Sequence, residues 1–254
     1  MQSVANHGAN SDYIKKIISL LKSFCWTRGL NGNALVAKKL LEVESFQHIL
    51  TNLTNFNDID GIHSNDFVLE EVKSLLDAIA HMGASFCKHS DQGHEFEDEF
   101  IRTMLHKVQT GNEKYSESAA GVIHGLTTHG NLPFHLREEV IASLQEVTRN
   151  VNQSQTTEVE RGIACQAAIG LVYLIGKEEK SFLATNPAVV NALIMVTKLA
   201  RQRQHYAGLG HEWGIFGMLA PIETLVVSDA NKKILVQNSY MDIVLHILNI
   251  VHFV

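Results

Sequence analysis

The sequence predicts an all-α fold built from repeated helical units, and three observations carry that prediction. In residues 231–248, Met241, Val244, Leu245 and Leu248 fall at i, i+3, i+4 and i+7, with Val251 beyond them, which is the spacing of one apolar helix face. A shorter apolar run, Ile234-Leu235-Val236, precedes it behind the basic pair Lys232-Lys233. Asn238-Ser239 makes a corner between the two, with the serine placed to cap the second helix. The second observation is recurrence. Residues 37–54 align with 231–248: Lys38-Lys39 on Lys232-Lys233, Leu40-Leu41 on Ile234-Leu235, Ser45-Phe46 on Ser239-Tyr240. Residues 179–196 align more loosely, with Phe182-Leu183 on Ile234-Leu235, Asn186 on Asn238, and Pro187 in the serine's place. Proline is tolerated in the first turn of a helix, so the corner survives the exchange. Short one-sided helices cannot bury their apolar faces alone and require neighbours of the same kind. The third observation is composition: only 3 prolines and 5 tyrosines, many Leu, Ile, Val and Ala, and no run of apolar/polar alternation that would mark strands.

The stretch NKKILVQNSYMDIVLHIL resembles the line NK-x-x-IV-x-x-G-A-x-P-x-LV-x-LL of an armadillo repeat, with Asn238-Ser239-Tyr240 where Gly-Ala stands. The copy at 179–196 keeps the proline near its usual place. The likeness is good over 155–254, fair over 33–56 and weak between 60 and 150. It implies a right-handed superhelical α-solenoid of armadillo-like repeats and a role in binding other proteins. In the family members that carry nuclear import signals, the inner helix bears W-x-x-x-N. Here Trp213 is followed at the fourth place by Gly217, and residues 158–175 contain no Trp, so that activity is not carried over.

Taken in order, residues 1–10 are polar and read as a disordered N-terminus, and 11–254 as one helical-repeat domain. Its repeats are irregular over 11–150 and better formed over 155–254. Ser11-Asp12 caps a helix to about Trp26 whose face carries Ile14, Ile17, Ile18, Leu21 and Phe24. The first short-long pair follows at 34–55, and an Asn/Asp/Gly-rich loop at 55–65. Helices are then expected at 66–82, 95–108, 114–128 and 136–147; 95–108 begins with several acidic residues, where they complement the helix dipole, and the small residues of 114–128 allow close helix approach. The polar stretch 150–156 reads as a loop. Residues 158–175 are apolar on several sides, as expected of an inner helix packed between neighbours. Gly176 ends it, and short and long helices follow at 179–185 and 187–200. The same order recurs as 213–227, bent or interrupted at Pro221, then 230–237 and 239–253. Asn186 and Asn238 are further apart than the roughly 40–47 residues usual for such repeats, and the loop at 201–212 accounts for the excess.

The formal net charge is −6, which gives no global signal for nucleic acid or an anionic membrane. No apolar run reaches the roughly 18 residues needed for a membrane span, and the first residues are not patterned as a signal peptide. Three scattered cysteines, Cys25, Cys87 and Cys165, read as reduced thiols of an intracellular protein, in the cytoplasm or nucleus. The sequence stops inside an apolar helix, LNIVHFV, where a solenoid normally carries a polar capping unit, so the chain is expected to be truncated at its C-terminal end.

Chemistry-bearing motifs are weak. The densest group of potential metal ligands, His81, Cys87, His89, His94, Glu95, Glu97 and Asp98, lacks H-E-x-x-H, C-x-x-C and H-x-H spacing and reads as a solvated corner. No G-x-S-x-G nucleophile elbow and no phosphate loop with its G-K-[ST] end occurs; the glycines at 29–33 and 208–214 follow no strand. Neither a metal nor a cofactor is therefore expected, and no enzymatic activity. The expected function is a non-catalytic scaffold that holds a protein or peptide on a concave face formed by 158–175 and 213–227. The candidate contact residues are Glu158, Glu160, Arg161, Arg201, Arg203, His211, Glu212 and Trp213. The alternative is a regulatory section, autoinhibitory or metabolite-sensing, of a larger multidomain signalling protein or enzyme.

Overall fold

The computed structural model describes residues 16, 20, 48, 51, 96–111, 116–128, 130, 132–149, 157–176, 178, 181–201, 215–238, 240–242 and 245. Among them helices and turns alone occur, as the all-α reading requires. The helices expected at 11–26 and 66–82, and nearly all of the pair at 34–55, lie outside the described residues. The chain forms two compact units, one of residues 1–107 and 113–134, the other of 108–112 and 135–254.

The first unit contains most of α1 (Asp98–Thr110) and all of α2 (Ser116–Thr128). Asp98 and Glu99 open α1, where their charge opposes the positive end of the helix dipole, and Arg102 pairs with Asp98 one turn on at 3.7 Å. Phe100, Ile101, Met104, Leu105 and Val108 form its buried stripe, with Phe96 stacked on Phe100. Gly111, at φ +66°, turns the chain after α1 in a conformation that other residues rarely adopt. In α2 most buried residues are small or β-branched, among them Ala119, Ala120, Gly121, Val122 and Ile123, with Leu126 the larger exception. Its C-terminal threonines satisfy themselves locally, Thr127 and Thr128 both donating to the carbonyl of His124.

The second unit is organised around one helix. A 3-10 turn (Phe134–Leu136) leads into α3 (Arg137–Thr148), followed by α4 (Glu158–Ile175). The very short α5 (Phe182–Thr185) and the longer α6 (Pro187–Arg201) come next, then α7 (Ile215–Leu225) and α8 (Asp229–Gln237). Tyr240, Met241, Asp242 and Leu245 are also helical. The central helix α4 packs against α3, α6 and α7, and every residue from Gly162 to Val172 is buried. That all-round apolar surface is what the sequence of 158–175 demands, and no single face would satisfy it. Pro221 lies inside α7 without interrupting it. Beside it, Thr224 donates its hydroxyl to the carbonyl of Ala220.

The corner between short and long helices is made twice in the same way. At Asn186 the backbone N–H donates to Phe182 O at 2.9 Å, and the side-chain Nδ2 donates to the same carbonyl at 3.1 Å. At Asn238 the backbone N–H donates to Ile234 O at 3.1 Å, and Nδ2 to that carbonyl at 2.8 Å. Each asparagine thus supplies two donors to one of the last carbonyls of its helix, which have no partner further along it. Leu183 and Leu235, the aligned apolar residues, are both buried. The later elements lie on the corresponding earlier ones: α7 packs on α4 and α8 on α5. Tyr240, next to the second corner, reaches Thr197 of α6. Beyond that corner the buried residue is Tyr240, whereas Met241 and Leu245, expected on the core face, are exposed. Val244, Leu248 and Val251 lie outside the described residues.

Candidate functional site

Of the eight candidate contact residues, Glu160 and Arg161 have described side chains. Both stand in the first turn of α4, partly exposed. Glu160 is committed to the helix. Its Oε2 accepts from Thr157 N at 2.6 Å and from Thr157 Oγ1 at 2.9 Å, while Glu160 N donates to Thr157 Oγ1 at 3.2 Å. This is a reciprocal capping box, and it satisfies two of the donors a helix start leaves without partners. The signal was present in the sequence as Thr157-x-x-Glu160, ahead of an apolar run. Glu158 and Arg201 belong to α4 and α6 by their backbone; their side chains, and all of Arg203, His211, Glu212 and Trp213, lie outside the described residues.

The middle of α4 offers nothing to a partner, because it is enclosed. Among its described side chains only those at the ends reach the surface: Val159, Glu160 and Arg161 at the start, Tyr173 and Leu174 at the finish. At the finish, Arg137 of α3 folds over the helix end. Its Nη2 donates to Leu174 O and to Glu178 Oε2, each at 2.6 Å, and Nη1 donates to Glu138 Oε1 at 3.3 Å. A guanidinium on an unsatisfied C-terminal carbonyl is favoured both as a hydrogen bond and by the dipole. Partial burial, and then the charge of Glu223, push the Tyr173 phenol above the ordinary range.

Asn231 is the residue that sequence reasoning passed over. It is buried at the start of α8, and its Oδ1 accepts from the backbone N–H of Leu183 in α5 at 3.0 Å. Its Nδ2 makes a longer contact, 3.5 Å, to the carbonyl of Leu225 at the end of α7. One side chain therefore serves an orphan donor of one helix and an orphan acceptor of another. Thr197 ties α6 to the segment beyond the second corner. Its hydroxyl donates to Leu193 O at 2.7 Å, so the Tyr240 hydroxyl, also at 2.7 Å, is the donor in the bond between them. Gln145 of α3 donates to Asn186 Oδ1 at 3.4 Å, holding the first corner from the other side.

The reactive groups in view are structural. Cys165 is a free thiol in the middle of α4, fully buried, and loss of hydration pushes its pKa up to about 12 despite the nearby Arg161 charge. It stays protonated near neutrality and is a poor nucleophile. Among the described residues no group of three or more His, Cys, Asp and Glu could hold a metal ion. Of the acidic corner at 81–98, Glu97 and Asp98 are described, the latter paired with Arg102. No helix among the described residues is long and apolar enough to cross a membrane.

Among the described residues the chain is helical without strands, and several of its buried polar side chains join helix ends. Compared with protein-family models, with curated proteins and with solved structures, the chain matches none of them.

Proposed function

We propose that this chain is a non-catalytic scaffold, an armadillo-like α-solenoid that holds a protein or peptide partner. The observation that carries the reading is the duplicated corner: Asn186 and Asn238 make the same two bonds, to Phe182 O and Ile234 O, in aligned positions. A corner repeated with its bonds is what a unit built to stack on its own kind provides, and stacked units offer an extended surface. The enclosure of α4 moves the expected contact surface away from the helix middle to its first turn and the segment leading into α7. The residues assigned to it are Glu158, Arg161, Arg201, Arg203, His211, Glu212 and Trp213, with Glu160 contributing charge while it holds the cap. The net charge of −6 favours a basic partner over nucleic acid, with Glu158, Glu160 and Glu212 as its acidic contacts. The setting we assign is the cytoplasm or nucleus, for which the unpaired Cys165 and the odd cysteine count speak.

The test is binding of the full chain to an array of basic peptides, followed by titration of the best binder. Glu158→Lys with Glu212→Lys should weaken that binding at least tenfold and leave the helical circular dichroism unchanged, with only the small loss in thermal midpoint that a lysine in the first turn of α4 brings. Glu160→Gln keeps a hydrogen-bonding cap and removes the charge, so it should weaken binding by a smaller factor. Unchanged affinity in both variants would remove the face assignment. Absence of any bound peptide would remove the scaffold reading as stated.

A further inference from the structure

We draw no further inference here: the strongest candidate, the exposed apolar patch of Val236, Met241 and Leu245 around the second corner, is an unpartnered helix face, and nothing in the structure shows what covers it.

Discussion

At the scale of single residues, the second unit is held by a few buried polar side chains that finish helices other than their own. Asn231 is the sharpest case, because it answers a backbone donor in α5 and faces a carbonyl of α7. Removing it leaves Leu183 N–H buried without a partner, which costs about 1–3 kcal/mol. Asn231→Ala should therefore lower the unfolding free energy measured by urea denaturation by that much. A stability loss under 0.5 kcal/mol, on the scale of an ordinary surface change, would show that the bond to Leu183 contributes little. Cys165 makes a prediction about pH. Its folded pKa, pushed to about 12, lies above the ordinary 9.0. The folded state therefore keeps a proton that the unfolded state gives up, and the stability this represents is complete below pH 9 and is lost as pH rises toward 12. Burial pushes Tyr240 and Tyr173 in the same direction. Cys165→Ala retains both tyrosines, so the fall in stability between pH 9 and 12 should be shallower in the variant than in the parent. Parallel pH profiles from urea denaturation would contradict the burial of the thiol. Alkylation of the native chain by iodoacetamide at pH 8 should leave this thiol intact until the protein is unfolded.

At the scale of elements, helix ends decide more than helix middles. The Thr157–Glu160 box makes α4 start where it does. Thr157→Ala should cost about 1 kcal/mol, and Glu160→Gln less, since an amide can still accept from the Thr157 N–H. If the two variants were equally destabilised in chemical denaturation, charge rather than hydrogen bonding would be the stronger part of the cap. The other end is equally constrained. Gly176 donates to Val172 O at 2.9 Å, and a side chain there would collide with that carbonyl oxygen and come within 3.1 Å of Leu225 Cδ2. Much of this was legible in the residues. The bounds read for 158–175 are those of α4, and those read for 187–200 differ from α6 by one residue. The pair Asn186 and Asn238 was placed correctly at both corners because a polar break between two apolar runs is a local signal. The bounds of α5 were less legible. The expected 179–185 shrinks to four residues, 182–185, because a helix this short owes its limits to what packs on it rather than to its own propensity.

At the scale of the whole molecule, the second unit is built around a single helix. The central helix α4 touches α3, α6 and α7, so its core residues hold those helices in common. Leu171 is fully buried. Leu171→Ala should cost about 2–5 kcal/mol, and in native-state hydrogen exchange it should lower protection in α3, α4, α6 and α7 together. Loss confined to α4 would mean that these helices do not form one cooperative unit.

The sequence by itself determined that the described segments are helical, where most helices of the second unit lie, and that α4 must be enclosed. These properties follow from the spacing of apolar residues along one segment, and no distant residue alters them. Only the tertiary structure decided which side chains close which helix ends. Arg137 meets Leu174, Asn231 meets Leu183 and Tyr240 meets Thr197 across 37, 48 and 43 residues. Such partnerships depend on where helices cross, and an orphan donor or acceptor at a helix end gives no sign in the sequence of the side chain that will satisfy it. The same reason explains Glu160, whose charge marked it for a partner while its geometry bound it to Thr157, and Met241 and Leu245, whose spacing was that of a core face left open to solvent.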